Sequence, residues 1–289
     1  MLKIRIITAL IMLPIVLIAL FVFPNWAWDI FTLGIALVAC WEWSRFCSFK
    51  EADKMSRWIY FALSALISTL IFLTYLNVPA VDFLDFRLLA LAGFSVSAVF
   101  WFFIAPLWLK RAWRPRSVVI TAMTGWIVIF PTWLSLLALH DKSPWLLLSF
   151  ALIVWVADVA AYFSGKALGK HKLAPAISPG KTIEGAIGGL IGVALYFFLW
   201  RISSAQAPAR GETWAIELIA QGWWLLGFFI VLGVLSVLGD LFESWMKRGV
   251  GLKDSSHLLP GHGGILDRID ALTSTLPIAG LYLILTAKL

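Results

Sequence analysis

Runs of about twenty apolar residues follow one another along nearly the whole chain, and they limit what this sequence can fold into more than any other feature. A helix needs roughly 20 mainly apolar residues to cross the hydrocarbon core of a bilayer, where its backbone groups can bond only to one another. Such runs occupy 4–23, 26–43, 57–76, 86–108, 117–139, 144–165, 183–200, 218–240 and 270–287. Only short connections remain between them, so no attached soluble domain is expected. Composition agrees: 61% of the 289 residues are hydrophobic and 13% are charged, against about 25% charged in soluble domains. The expected fold is an all-α integral membrane protein of about nine transmembrane helices, a single polytopic domain over 1–289.

The first run follows Lys3 and Arg5, as a signal peptide would. It extends to Phe23, beyond the usual h-region of about 7–15 residues, and no small-x-small cleavage site follows Pro24. It is read as a retained helix. Cys40 and Cys47 are the two cysteines. On one helix their spacing puts the Cα atoms about 10 Å apart, too far for a disulfide, and two thiols make no thiolate metal site.

The basic residues orient the chain. With nine spans, eighteen of the 23 Lys and Arg fall on one side: Lys3 and Arg5, then the groups around Arg45–Arg57 (with Lys50), Lys110–Arg116, Lys166–Lys181 and Lys247–Arg268. Arg87, Lys142, Arg201, Arg210 and Lys288 fall on the other. The positive-inside rule then places the N-terminus in the cytoplasm and the C-terminus outside. The net charge of +7 flanks helix ends and meets anionic lipid, so no nucleic acid is expected as a partner. Lys110–Arg116, with Trp108 and Trp113, reads as an interfacial anchor.

Chemistry divides the chain. Spans within 1–140 are nearly free of interior charge and read as helices of mainly structural role, whereas 141–289 carries acids, Gly and Pro at the cytoplasmic helix ends. In Lys166–Lys181, Ser178-Pro179-Gly180-Lys181-Thr182 resembles part of a P-loop. That motif needs another Gly where Pro175 stands, and no strand is expected before it. What remains is a basic loop entering a helix, whose free N–H groups suit an anion. The second segment, Gly239–Asp270, gathers Asp240, Glu243, Asp254, Asp267 and Asp270 beside Lys247, Arg248, Lys253, Arg268 and two histidines. If the preceding helix continues past Asp240, then Asp240, Ser244 and Lys247 share a face, and Glu243 pairs with Lys247 at i,i+4. Pro260-Gly261-His262-Gly263-Gly264 must turn, and Asp267 and Asp270 open the last helix. Asp158 lies inside the sixth span, about 21 Å from its outer end at helical rise; an ionisable group there is either functional or bonded to a neighbouring helix.

Acids beside cations at a membrane surface suit a metal-bound polyphosphate, since Mg²⁺ is held by one or two carboxylates plus substrate phosphates. HExxH, zinc-spaced histidine pairs and GxSxG are all missing, so a zinc hydrolase or serine esterase has no support.

At these residues the chain resembles the phosphatidate cytidylyltransferases. The family pattern S-x-x-K-R-x4-K-D followed by P-x-H-G-G-x-x-D-R-x-D is met by Ser244, Lys247, Arg248, Lys253, Asp254, Pro260, His262, Gly263, Gly264, Asp267, Arg268 and Asp270. Upstream, Asp158-x-x-Ala161-Tyr162-x-x-Gly165 and Ser178–Thr182 with Glu184-Gly185 are also similar to the family; Ala271 departs from its usual Ser. The resemblance covers roughly 155–289 well. It implies cytidylyl transfer from CTP to phosphatidate, with Asp240 and Asp267 at the metal centre, Mg²⁺ and an optional second ion. It further implies Lys247, Arg248, Lys253, Arg268 and Lys181 on phosphate charge, and Asp254, Asp270 and His262 as orienters. Ser178, Thr182, Ser244 and Asp158 complete the substrate-binding set. The implied partners are CTP, phosphatidate and the bilayer, with a homodimer as an option; the implied location is a bacterial-type inner membrane with the site facing the cytoplasm. The alternatives are a CTP-dependent lipid kinase and a secondary transporter, while the D-x-x-D-G-x-x-A-R pattern of CDP-alcohol phosphotransferases is missing.

Overall fold

A computed structural model describes residues 2–47, 54–78, 85–115, 117–206 and 214–286. Lys50, Arg116, Arg210 and Lys288 of the charge count lie outside them. The helices are α1 Leu2–Phe21, α2 Asn25–Trp43, α3 Lys54–Tyr75, α4 Phe86–Val99, α5 Ala105–Lys110, α6 Val118–Lys142, α7 Pro144–Leu168, α8 Ile183–Ser204, α9 Trp214–Ala220, α10 Trp224–Gly249 and α11 Leu266–Thr286. A π turn at Phe100–Ile104 joins α4 to α5. Among the described residues, eight helical stretches are long and apolar enough to cross a bilayer, and α1 adds the apolar stretch Leu10–Phe21. The chain is an all-α integral membrane protein.

Local chemistry explains several helix starts. Ser117 caps α6 by accepting from the Ile120 N–H, and Ser143 caps α7, whose first residue Pro144 has no N–H to lose. Thr182 caps α8, its hydroxyl accepting from the Gly185 N–H at 3.1 Å.

The structure departs from the expected elements in three places. Strands β1 Lys172–Ala174 and β2 Ser178–Thr182 pair antiparallel, Lys172 opposite Thr182 and Ala174 opposite Ser178. A strand therefore does lead into α8, but it contains Gly180-Lys181-Thr182 itself where a P-loop has a loop, so this geometry and Pro175 both exclude the P-loop. α10 runs on to Gly249, past the expected end near 240. The apolar run stops there, but its buried face continues through Phe242, Trp245 and Met246, so packing carries the helix on. Trp108, expected at the lipid interface, is only 4% exposed. It packs against Phe242 at 5.4 Å, and Phe100 and Trp101 hold the same ring at 5.2 and 5.5 Å. Cys40 and Cys47 are buried free thiols, the second in a 3₁₀ turn at Ser44–Cys47.

Helix α11 lies in the middle, packed on α10, α6, α4 and α7. Its Ser274 hydroxyl donates to the Leu235 carbonyl of α10 at 2.7 Å. Helices α7 and α8 approach closely: a Cβ on Gly185 would lie 2.9 Å from the Ala161 carbonyl and 3.3 Å from the Gly165 Cα. Small residues allow this contact between membrane helices. The first half is less neutral than its composition suggests. Asp29 and Glu42, at opposite ends of α2, are 4% and 0% exposed. Near Asp29 the Tyr75 hydroxyl lies 3.3 Å from its Oδ1 and 2.9 Å from Asp141 Oδ2.

Candidate functional site

A cavity of about 480 Å³ opens between α7, the β hairpin, α8 and α10. Asp158 and Tyr162 line it from α7, Ser178, Lys181 and Thr182 from β2, and Asp240 from α10. Hairpin and helix meet where Lys181 Nζ pairs with Asp240 Oδ2 at 2.6 Å. Ser244, one turn on, donates to Asp240 Oδ1 at 3.3 Å. Glu184 fixes the hairpin base: its carboxylate accepts from the Lys170 N–H at 3.1 Å and from His171, whose Nδ1 is 2.6 Å away. Asp158 is exposed to the cavity and has no protein donor among the described residues. The interhelical hydrogen bond weighed for it in the sequence is therefore not seen.

Beside the cavity lies a second, drier network. Lys247 forms an ion pair with Glu243 and donates to Asp267 Oδ1 at 2.5 Å, its side chain 10% exposed. Asp267 Oδ2 accepts from the Ser255 N–H and hydroxyl, both at 2.8 Å, and from the Gly264 N–H at 2.7 Å. Reaching back three residues to Gly264, Asp267 ties the start of α11 to the turn before it. The turn before it closes by a bond from the Leu259 N–H to the Gly263 carbonyl at 2.8 Å, and Gly261 and Gly263 take φ of +74° and +80°, where a Cβ is unfavourable. Asp270 lies within electrostatic range of Asp240, Asp158 and Lys247. The two acids that open α11 thus share Lys247, while Asp270 also faces the cavity acids Asp240 and Asp158.

Other expected residues are more open to solvent, although Arg268 lies within electrostatic range of Asp158. Arg248, Lys253 and Arg268 are exposed, and Arg248 donates to the Leu252 carbonyl at 3.1 Å. Asp254 is half-buried beside Gly263. The His262 Nδ1 is buried without a hydrogen-bond partner among the described residues. Glu42 and Arg45 were not singled out in the sequence, yet both reach the loop between α10 and α11. Arg45 donates to the Ser255 carbonyl, and Glu42 accepts from Ser255, Ser256, Ile265 and Leu266. The available signal was an acid near each end of a mainly apolar run, Asp29 and Glu42.

A hard divalent cation fits this donor set. The cavity offers carboxylate oxygens, with no thiol or imidazole in its lining. Of the two expected ligands only Asp240 lines the cavity; Asp267 is outside its lining, with Oδ1 taken by Lys247 and Oδ2 by Ser255 and Gly264, and among the described residues no three His, Cys, Asp or Glu groups converge.

Fold and site together define a multi-pass membrane enzyme with a charged pocket at the end of its helical bundle, suited to an anionic substrate. The chain matches the cytidylyltransferase family over residues 3–286. A phosphatidate cytidylyltransferase of Haemophilus influenzae is 35% identical to it, the match covering 96% of each chain. One from Pseudomonas aeruginosa is 38% identical over 96% of this chain and 95% of the relative. One from Staphylococcus aureus is 44% identical over 138 residues, 46% of each chain. The chain belongs to the cytidylyltransferase family.

Proposed function

We propose that this chain transfers the cytidylyl group of CTP to phosphatidate, giving CDP-diacylglycerol and pyrophosphate for phospholipid synthesis. The observation that carries this reading is the Lys181–Asp240 contact in a cavity bounded by membrane helices. It sets a cation for phosphate beside a carboxylate for a metal. Phosphatidate brings its own nucleophile, a phosphate oxygen. That oxygen bonds to the α-phosphorus of CTP while the bond from the α-phosphorus to the bridging oxygen of the pyrophosphate breaks, so no activated serine or histidine is needed. Positioning and charge stabilisation suffice for such transfers. Lys181 binds phosphate charge at the cavity, and Arg248, Lys253 and Arg268, all exposed, attract and hold the triphosphate. Lys247, already fixed between two acids, orients Asp267. Asp240, and Asp267 on exchanging one of its present donors, would hold Mg²⁺, which would supply Lewis-acid polarisation of the phosphates when bound.

Nine crossings follow if α1 is the ninth; the charge distribution then supports a site facing the cytoplasm, where CTP is found, and the reading is of a bacterial-type inner membrane. The cavity is read as open sideways to lipid: exposed Val159, Phe163 and Ile187 lie on the same two helices as its lining, and the acyl tails of phosphatidate can stay in hydrocarbon. Purified protein given phosphatidate, Mg²⁺ and CTP labelled at either the α or the γ phosphate tests the reaction. Label from α in the lipid is expected. Label from γ in the lipid means a kinase, and solute transport in liposomes without CTP turnover means a transporter.

A further inference from the structure

We infer that Glu42, from the helices otherwise remote from the chemistry, is a positioning residue that sets the loop carrying Asp267. Its side chain is fully buried, and no ion pair reaches it among the described residues. A buried carboxylate is costly unless donors surround it. Four do: the Ser256 hydroxyl at 2.6 Å, the Leu266 N–H at 2.7 Å, and the Ser255 hydroxyl and Ile265 N–H at 3.0 Å. The Leu266 N–H opens α11 and the Ile265 N–H comes just before it, where no preceding helix carbonyl can satisfy them, and the positive end of the helix favours the charge. A Cβ on Gly264 would collide with this carboxylate, so the loop is fitted around it.

Ser255 links Glu42 to the site. Its hydroxyl lies 3.0 Å from Glu42 Oε2 and 2.8 Å from Asp267 Oδ2. One hydroxyl proton serves one carboxylate at a time, so the two acids share it, and the Ser255 N–H is committed to Asp267. Arg45, one turn beyond Glu42, holds the carbonyl of the same serine. The loop is thereby clamped between α2 and α11, and Asp267 can point only where this clamp allows.

The inference rests on the proposed cytidylyl transfer and is tested on the full chain in detergent, by CDP-diacylglycerol formation and by amide exchange along the loop. Glu42→Gln keeps the size but turns an NH₂ group towards donors. It is expected to lower kcat about 10–100-fold, as loss of such supporting partners does, with the phosphatidate KM little changed. Exchange at Gly264, Ile265 and Leu266 should accelerate. Ser255→Ala should lose kcat in the same sense, and the double variant should be no worse than Glu42→Gln alone. Asp29→Asn, which removes a buried carboxylate from the other end of α2, should lose thermal stability but keep wild-type kcat and loop exchange. Wild-type kcat and exchange in folded Glu42→Gln overturn the inference, as does an equal loss of kcat in Asp29→Asn. If Glu42→Gln does not fold, wild-type kcat in Ser255→Ala overturns it. A wild-type protein that makes no CDP-diacylglycerol defeats the functional reading instead, and the exchange result then judges the clamp alone.

Discussion

Lys181 of β2 and Asp240 of α10 meet at 2.6 Å although the whole of α8 lies between them in the chain. Their side chains are 26% and 29% exposed, and a partly solvated pair of this kind contributes at most about 1 kcal/mol to stability. Stability is a weak reason to place it there. Lys181→Ala is expected to leave the melting temperature nearly unchanged while lowering kcat/KM for CTP about 100-fold, the scale of losing one fixed electrostatic contact to a reacting phosphate. Initial rates against CTP and a thermal melt check both halves.

Asp240→Asn and Asp267→Asn should each abolish turnover but differ in stability. Asp240 lies at the edge of the cavity, so its variant should melt like wild type. Asp267 accepts from Lys247, Ser255 and Gly264 in a buried setting. Breaking one side of a buried charge network costs about 3–5 kcal/mol, so Asp267→Asn should melt well below wild type. In rate the double variant should be little worse than either single one if the two acids serve one centre. Lys110→Ala, on an exposed residue far along the chain from these motifs, should keep normal activity. Independent, multiplying losses would assign the two acids to separate tasks.

Turnover should cease in excess EDTA and return on adding Mg²⁺, because carboxylates and a triphosphate together make a hard-cation site. Full activity in the chelator would remove the metal from the mechanism.

Gly185→Ala should separate α7 from α8, since the new methyl would meet the Ala161 carbonyl at 2.9 Å. Overpacking of this sort costs about 1–3 kcal/mol. The same change moves the wall of the cavity, so CTP turnover should fall along with the melting temperature. Gly227→Ala on α10, where a Cβ meets nothing within 4 Å, is the matching control and should be neutral or slightly stabilising.

Much of the site was legible because its residues are close in sequence. Asp240, Ser244 and Lys247 lie at helical spacing, and the structure keeps them on one continuous helix. The Glu243–Lys247 pair formed as the i,i+4 spacing predicts. What sequence could not show was which partner each charge takes. Lys181 turns to Asp240 and Lys247 to Asp267. Either lysine satisfies a positive-inside count equally well.

The sequence by itself determined the membrane class, the rough spans and the chemical character of the second half. Each of these follows from local composition: the length of an apolar run against bilayer thickness, and the spacing of charges along a helix. Only the tertiary structure decided that β2 runs directly into α8, that α10 continues to Gly249 on the strength of the Phe242 packing, and that Glu42 joins the loop before α11. The last two depend on contacts between segments far apart in the chain, and the first on a short hairpin whose pairing no apolar periodicity marks. An acid at either end of an apolar run has no periodicity to mark it, and the role of Glu42 emerges only when α2 is packed against the start of α11.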